Sequence, residues 1–277
     1  MKRKDGRQIK GLDPFFKLIP HIMNKRTGAQ VFYRQCFESK ITDEYMKRNR
    51  EKMPDISLMS IIICAIVRTI ALRPALNRFI INGRIFARHD ILIAFVVKKS
   101  LKDTSPETTV KLKFEGTENL QQVTEKITNA IRENMKETQS NSTDKLAERF
   151  MNLPNCIIKF VVGIVKWMDK HSIAPKAILE ARPFQVSAFL TNMRSIKLDY
   201  LYHHLYDFGT ASTFLSMGRT HKDPEDSSKN TYFVGYTIDE RICDGFYLSN
   251  TLRLFESFIL NPEKLEEKLE KRIMDIE

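Results

Sequence analysis

Apolar residues in this chain fall into short blocks of two different periods, and the periods predict strands alternating with helices. From Gln30 to Ile41 the segment QVFYRQCFESKI alternates imperfectly and is rich in β-formers, which predicts a strand. The polar stretch over 43–52 predicts an exposed helix that ends before Pro54. Leu58–Leu72, LMSIIICAIVRTIAL, is apolar on all sides apart from Arg68 and predicts a buried helix. It stops at Arg73-Pro74, because proline lacks an N–H and disfavours helix in the residue before it. In Phe79-Ile-Ile-Asn-Gly-Arg-Ile-Phe the pair Asn82-Gly83 lies between apolar residues, and both tolerate positive φ, so a tight hairpin is expected. Ile91–Val97 and the alternating Thr108–Phe114 predict two further strands.

Between Glu118 and Glu137, Leu120, Val123, Ile127, Ala130, Ile131 and Met135 recur at helical spacing. A turn over Ser140–Asp144 follows, with Thr143 or Asp144 as N-cap for a segment beginning at Lys145. A helical pair from about 145 to 170 is expected to break near Pro154. Its apolar run, Cys156–Met168, carries Lys159 and Lys166 and reads as a buried or half-buried helix, like Leu58–Leu72. Both runs fall short of the roughly 20 residues that cross a bilayer. Val186–Thr191, Ala211–Met217 and Tyr232–Thr237 predict strands, with His221–Asn230 a polar loop between the last two. Phe246–Leu260 predicts a helix, and Pro262-Glu263 opens an expected last charged helix that runs to the carboxyl terminus. With no internal repeat and no long linker, one α/β domain over residues 1–277 is the economical reading.

Composition narrows the class. At 277 residues, 42% hydrophobic and 10% aromatic, the chain has ample material for a core, and 10 Gly with 10 Pro exclude a collagen-like or low-complexity chain. Cys36, Cys64, Cys156 and Cys243 are too few for a disulfide scaffold and show no Cys-x-x-Cys spacing, so no metal site is expected. The start, Met1-Lys-Arg-Lys-Asp-Gly, has no apolar run or cleavage site, and a cytoplasmic location with reduced thiols is expected. The net charge of +11 points to an anionic partner: nucleic acid, anionic lipid or a phosphorylated cofactor. However, Lys2-Arg3-Lys4, Lys47-Arg48 with Arg50 and Lys52, and Lys98-Lys99 are scattered, with acids among or near them. They read as solvated faces, and neither a nucleic-acid partner nor a membrane is expected.

The chemically loaded segment is Ile238-Asp-Glu-Arg-Ile-Cys-Asp-Gly245, between a strand and a helix. It resembles the Asp-His-Arg-x-x-Asp-Gly motif of the chloramphenicol acetyltransferase superfamily, most closely that of the dihydrolipoyl acyltransferase cores of 2-oxo acid dehydrogenase complexes. The chain keeps Asp239, Arg241, Asp244, Gly245 and the family's later Asn261-Pro262-Glu263. A second block, Pro74-Ala-Leu-Asn77 followed by Asn82-Gly83-x-Ile85 and His89, resembles the family's core-helix exit and hairpin. A third, Phe189-Leu-Thr-Asn192, resembles its Ile-Ser-Asn strand end. In order, the blocks place residues 15 to 267 in the family's frame. The resemblance implies an α/β, chloramphenicol acetyltransferase-like two-layer fold, a large mixed β-sheet flanked by helices. It implies a homotrimer with the site between subunits, where coenzyme A as acyl-CoA and a small-molecule acyl acceptor meet from opposite sides. A stand-alone acyltransferase without lipoyl or subunit-binding domains is expected.

In that frame the position of the family's histidine base is Glu240. Thr191 matches the hydroxyl that donates to the tetrahedral oxyanion, with Asn192 beside it. Asp244 matches a residue that holds the site through a buried pair with an arginine, for which Arg26 and Arg34 are both candidates. Gly245 and Arg241 complete the structural positions, and His203 and His204 are substrate-channel candidates. A solvated glutamate titrates near about 4.3 against about 6.5 for histidine, so a carboxylate is the weaker base at pH 7 unless its pocket is dry. Three readings follow: Glu240 as a working carboxylate base, a site that has lost acyl transfer but still binds or assembles, or a replacement base from His203, His204 or His221. On ordinary structural grounds His203-His204 is a polar stretch over an aromatic surface, His89 packs beside the hairpin, and Cys243 is a small buried hydrophobe.

Overall fold

A computed structural model describes residues 3–98, 107–135, 151–223 and 225–277. Strands β2 (Gln30–Glu38), β5 (Ile91–Lys98), β6 (Glu107–Phe114), β7 (Ala188–Asn192), β8 (Thr213–Lys222) and β9 (Asn230–Asp239) form one six-stranded sheet in the order β2-β9-β8-β7-β5-β6. The β5/β7 and β7/β8 pairs are parallel and the remaining pairs antiparallel, so the sheet is mixed, as the motif blocks predict. A smaller antiparallel sheet joins β1 (Gly6–Gln8), β4 (Arg84–Arg88) and β3 (Arg78–Ile81). The β3–β4 turn is the expected hairpin: Asn82 and Gly83 have φ of 50° and 69°.

Helices α2 (Ser39–Asn49), α3 (Leu58–Leu72), α4 (Leu120–Met135) and α7 (Gly245–Leu260) share the main core with one face of the large sheet. Helix α3 is the centre of that layer. Ser57 and Ser60 cap its start reciprocally, Pro74 ends it, and the sequence-predicted boundaries are those observed. Its one charge, Arg68, donates Nη2 to the carbonyls of Glu118 at 3.2 Å and Glu267 at 2.7 Å, which satisfies a cation inside an apolar layer. A second, smaller core lies on the other sheet face, where Phe189, Phe214 and Ala94 meet Val186, Leu205 and Ala211.

Four expectations need correction. Strand β2 ends at Glu38, because Ser39 already begins α2. After the turn Pro262–Leu265 the carboxyl-terminal residues form no further helix. Their polar groups go instead to distant partners: Ile273 N–H to Ala71 O, Leu269 N–H to Thr117 O, and the Asp275 carboxylate to a two-pronged pair with Arg78 at 2.7 Å. Arg3 is not on a solvated face but buried, paired with Asp5 and Asp169 at 2.8 Å each. Helix α5 (Asn155–Lys170) forms behind Pro154, yet Asp169 is its one buried residue, and Phe160, Ile164 and Trp167 are exposed. The expected turn over Ser140–Asp144, the cap at Thr143 or Asp144 and the first of the helical pair lie outside the described residues.

Helices α1 (Pro14–Ile22) and α6 (Lys176–Ala181) and the short β1 are additions to the predicted elements. In α1 the Asp13 side chain accepts from the N–H groups of Phe15 and Phe16, and Pro14 occupies the first helical position, where its missing N–H costs nothing.

Candidate active site at the end of strand β9

Strand β9 ends in Asp239, and a single 3₁₀ turn, Glu240–Ile242, reverses the chain into α7. Asp239 is fully buried. Its carboxylate accepts from Arg241 Nε and Nη2 at 2.7 Å each and from the Arg241 N–H at 3.2 Å. Arg26 brings a second cation, its Nε 3.4 Å from Asp239 Oδ2. Arg26 also donates to the carbonyls of Tyr206 at 2.8 Å and Gly209 at 2.9 Å, and Arg241 to that of Met23 at 2.8 Å. Burial pulls the Arg26 guanidinium below the usual arginine range; Asp239 acts against that shift and Arg241 adds to it. One carboxylate thus ties three stretches of chain to one point: the segment after α1, the 206–209 loop and the end of β9.

This assembly fixes the turn that carries Glu240. The Glu240 N–H donates to Ala29 O at 2.9 Å, while its side chain is exposed. Asp244 is exposed as well, and its Oδ1 accepts from the Tyr247 N–H at 2.8 Å, which makes it the N-cap of α7. The expected buried pairing of Asp244 with an arginine is therefore corrected: the buried aspartate is Asp239, and its arginines are Arg241 and Arg26. Arg34, the other candidate, is exposed on β2 and donates to the Tyr200 hydroxyl at 2.8 Å. Gly245 is exposed at the first position of α7, where a Cβ would meet nothing within 4 Å. It lines a cleft of about 450 Å³ with Tyr33, Gln35, Leu248 and Arg253. Cys243 is buried, and burial pushes its thiol pKa up to about 12.

Thr191 and Asn192 end the interior strand β7 at the other end of the strands from Asp239. Thr191 pairs with Ser216 of β8, whereas the Asp239 N–H bonds to Ser212 O at the start of that strand. Four residues of β8 separate the two levels, about 13 Å at roughly 3.3 Å per residue. Thr191 Oγ1 contacts Met193 Sδ at 3.5 Å, and Asn192 Oδ1 accepts from the Ser195 N–H at 3.2 Å, capping the next turn. Within one chain, then, Glu240 and Thr191 do not come together.

His203 and His204 lie between the two levels. The His203 ring stacks on Phe214 at 4.0 Å and 3°, and its Nδ1 donates to His204 O at 2.8 Å. Burial lowers the His203 pKa, and the hydrogen bond to the His204 carbonyl acts against that shift. Tyr200 and Tyr202 continue the stretch over Phe32 and Phe233. The polar stretch over an aromatic surface is what the structure contains. His221 pairs with Asp199 at 3.0 Å, on the side of β8 away from Glu240.

No family model matches the chain, and no curated protein matches its sequence. Solved structures do match its fold. The dihydrolipoamide acetyltransferase of Azotobacter vinelandii superposes with a TM-score of 0.57 at 7% identity, over 90% of this chain and 87% of that one. A chloramphenicol acetyltransferase gives 0.56 at 13% identity, over 92% and 99%. A truncated catalytic core of the 2-oxoacid dehydrogenase multienzyme complex from Thermoplasma acidophilum gives 0.55 at 10% identity, over 92% and 99%. The chain has the chloramphenicol acetyltransferase-like fold. At such identities the likeness is one of architecture, and chemistry must be argued from the site.

Proposed function

We propose that this protein is a coenzyme A-dependent acyltransferase, moving an acyl group from an acyl-CoA thioester to the thiol or hydroxyl of a small molecule. The observation that carries the reading is the buried Asp239–Arg241–Arg26 assembly, which holds the Glu240 turn rigid at a strand end, in a fold shared with known acyltransferases. Glu240 takes the proton from the acceptor, whose oxygen or sulfur attacks the thioester carbon. The Thr191 hydroxyl donates to the oxyanion that forms. Collapse breaks the carbon–sulfur bond, and the departing coenzyme A thiolate takes the proton back from Glu240.

The separation of Glu240 from Thr191 supports a site shared between copies, Glu240 from one and Thr191 from the next. A homotrimer of about 97 kDa, three chains of 32.4 kDa, is expected by light scattering. The exposure of Glu240 in one chain favours a second reading, in which the fold serves binding or assembly and no longer catalyses. Incubation with acetyl-coenzyme A and a panel of thiols and amino alcohols separates the two. Thiol release that falls about 10²–10⁴-fold in Glu240→Ala supports a base at this position. No release above the uncatalysed rate by either, with coenzyme A still bound, supports the second; equal release above that rate by both places the base elsewhere than Glu240.

A further inference from the structure

A second cleft, of about 780 Å³, opens beside Arg241, between the end of α1, the β3–β4 turn, α5 and the 207–209 loop. Its volume suits a metabolite-sized ligand. Seven lysines and arginines line it against two carboxylates. Arg26 and Arg241 are already committed to Asp239. The others converge from separate elements: Lys25 after α1, Arg84 from the hairpin, Lys166 and Lys170 from α5, and Arg182 before β7.

Among the described residues neither lining carboxylate ion-pairs with Lys166 or Lys170. Asp207 accepts from the N–H groups of Arg26 and Thr27 and from the Thr27 hydroxyl, all neutral donors. Asp169 is shared by Arg3 at 2.8 Å and Arg182 at 2.7 Å. Arg182 is 6% exposed, and beyond that one bond its Nε and Nη2 have no hydrogen-bond partner among the described residues. A buried guanidinium with two open donors is costly unless something accepts from it. Its guanidinium carbon lies 4.1 Å from the centre of the Phe208 ring, and Lys166 Nζ lies 5.9 Å from the same centre. One aromatic ring thus has two cations against it.

We propose that this cleft binds a phosphate-bearing small molecule, its anionic group accepting from the open Arg182 donors and paired with Lys166 and Lys170. Forked donors beside point charges are the arrangement that recognises phosphate. The site is independent of Glu240 and stands whether or not the chain transfers acyl groups. The ligand is either a free phosphorylated molecule or the phosphates of coenzyme A.

Calorimetric titration of the full chain with inorganic pyrophosphate at low salt tests it. Wild type binds, and Lys166→Ala/Lys170→Ala weakens binding roughly tenfold or more. Lys47→Ala/Arg48→Ala on α2 removes the same charge elsewhere and leaves binding unchanged. Both pairs are exposed, so the fold is not at risk. Displacement of pyrophosphate by coenzyme A identifies that substrate's phosphates as the ligand; binding without displacement identifies a free phosphorylated molecule. Absence of pyrophosphate binding by wild type, or equal loss in both double variants, overturns the proposal.

Discussion

Helices α3 and α5 have almost the same length and a similar run of apolar residues, yet their surroundings are opposite. Thirteen of the fifteen residues of α3 are buried, whereas α5 buries Asp169 alone among sixteen. The difference lies in the sides left polar. Helix α3 is apolar all round, and the sheet, α4 and α7 enclose it. Helix α5 carries Lys159, Lys166 and Lys170 along one stripe. Its Phe160 remains 69% exposed and its Trp167 56%. Apolar content states that a helix has surface to cover; it does not state which neighbour covers it.

Truncation exposes the contrast most strongly. Ile62→Ala in α3 should lower unfolding stability by about 2–5 kcal/mol, because the cavity forms in a layer with little room to relax. A urea midpoint moved by less than about 0.5 kcal/mol equivalent would mean that α3 is not the centre of the core. Alkaline pH gives the next effect. Burial pushes the Cys64 thiol up to about 12 from an ordinary value of 9.0. The folded state therefore holds a proton that the unfolded state releases, and stability should fall as pH rises from about 9 towards 12. Cys64→Ala should flatten that slope; an unchanged slope would remove the thiol as its source. A maleimide should meanwhile label exposed Cys156 in native protein within minutes, and Cys64 only after denaturant. Equal labelling of the two would abolish the contrast. The smallest effect belongs to Phe160→Ser, which should change chain stability by no more than about 0.5 kcal/mol. A loss of 2 kcal/mol or more would show that α5 is packed after all.

The same contrast governs what the sequence could reveal. Features set by neighbours in sequence were legible: the end of α3 from Arg73-Pro74 and the hairpin from Asn82-Gly83. The mixed sheet followed from motif blocks in the right order. Features set by distant partners were hidden. Strand β1 is three residues long and exists through its pairing with β4, and Pro20 inside α1 argues against a helix there. The carboxyl-terminal segment alternates charge like a helix, but Arg78, Ala71 and Thr117 hold it otherwise. At the site, Glu240, Asp239 and Arg241 stood together in the motif, whereas Arg26 reaches Asp239 from the other end of the chain. Arg26 was one of the two arginines the resemblance offered; the carboxylate it meets is Asp239, which ends a strand inside the core, and not Asp244, which caps α7 at the surface.

Mixing two inactive variants tests most directly whether the site lies between copies. Glu240→Ala and Thr191→Val should each be inactive alone. Unfolded together and refolded as hybrid trimers, they should recover about a quarter of wild-type acyl transfer, because some neighbours then pair an intact Glu240 with an intact Thr191. Hybrid trimers of the expected mass that stay as inactive as the separate variants would contradict a shared site and, with it, the roles given to Glu240 and Thr191.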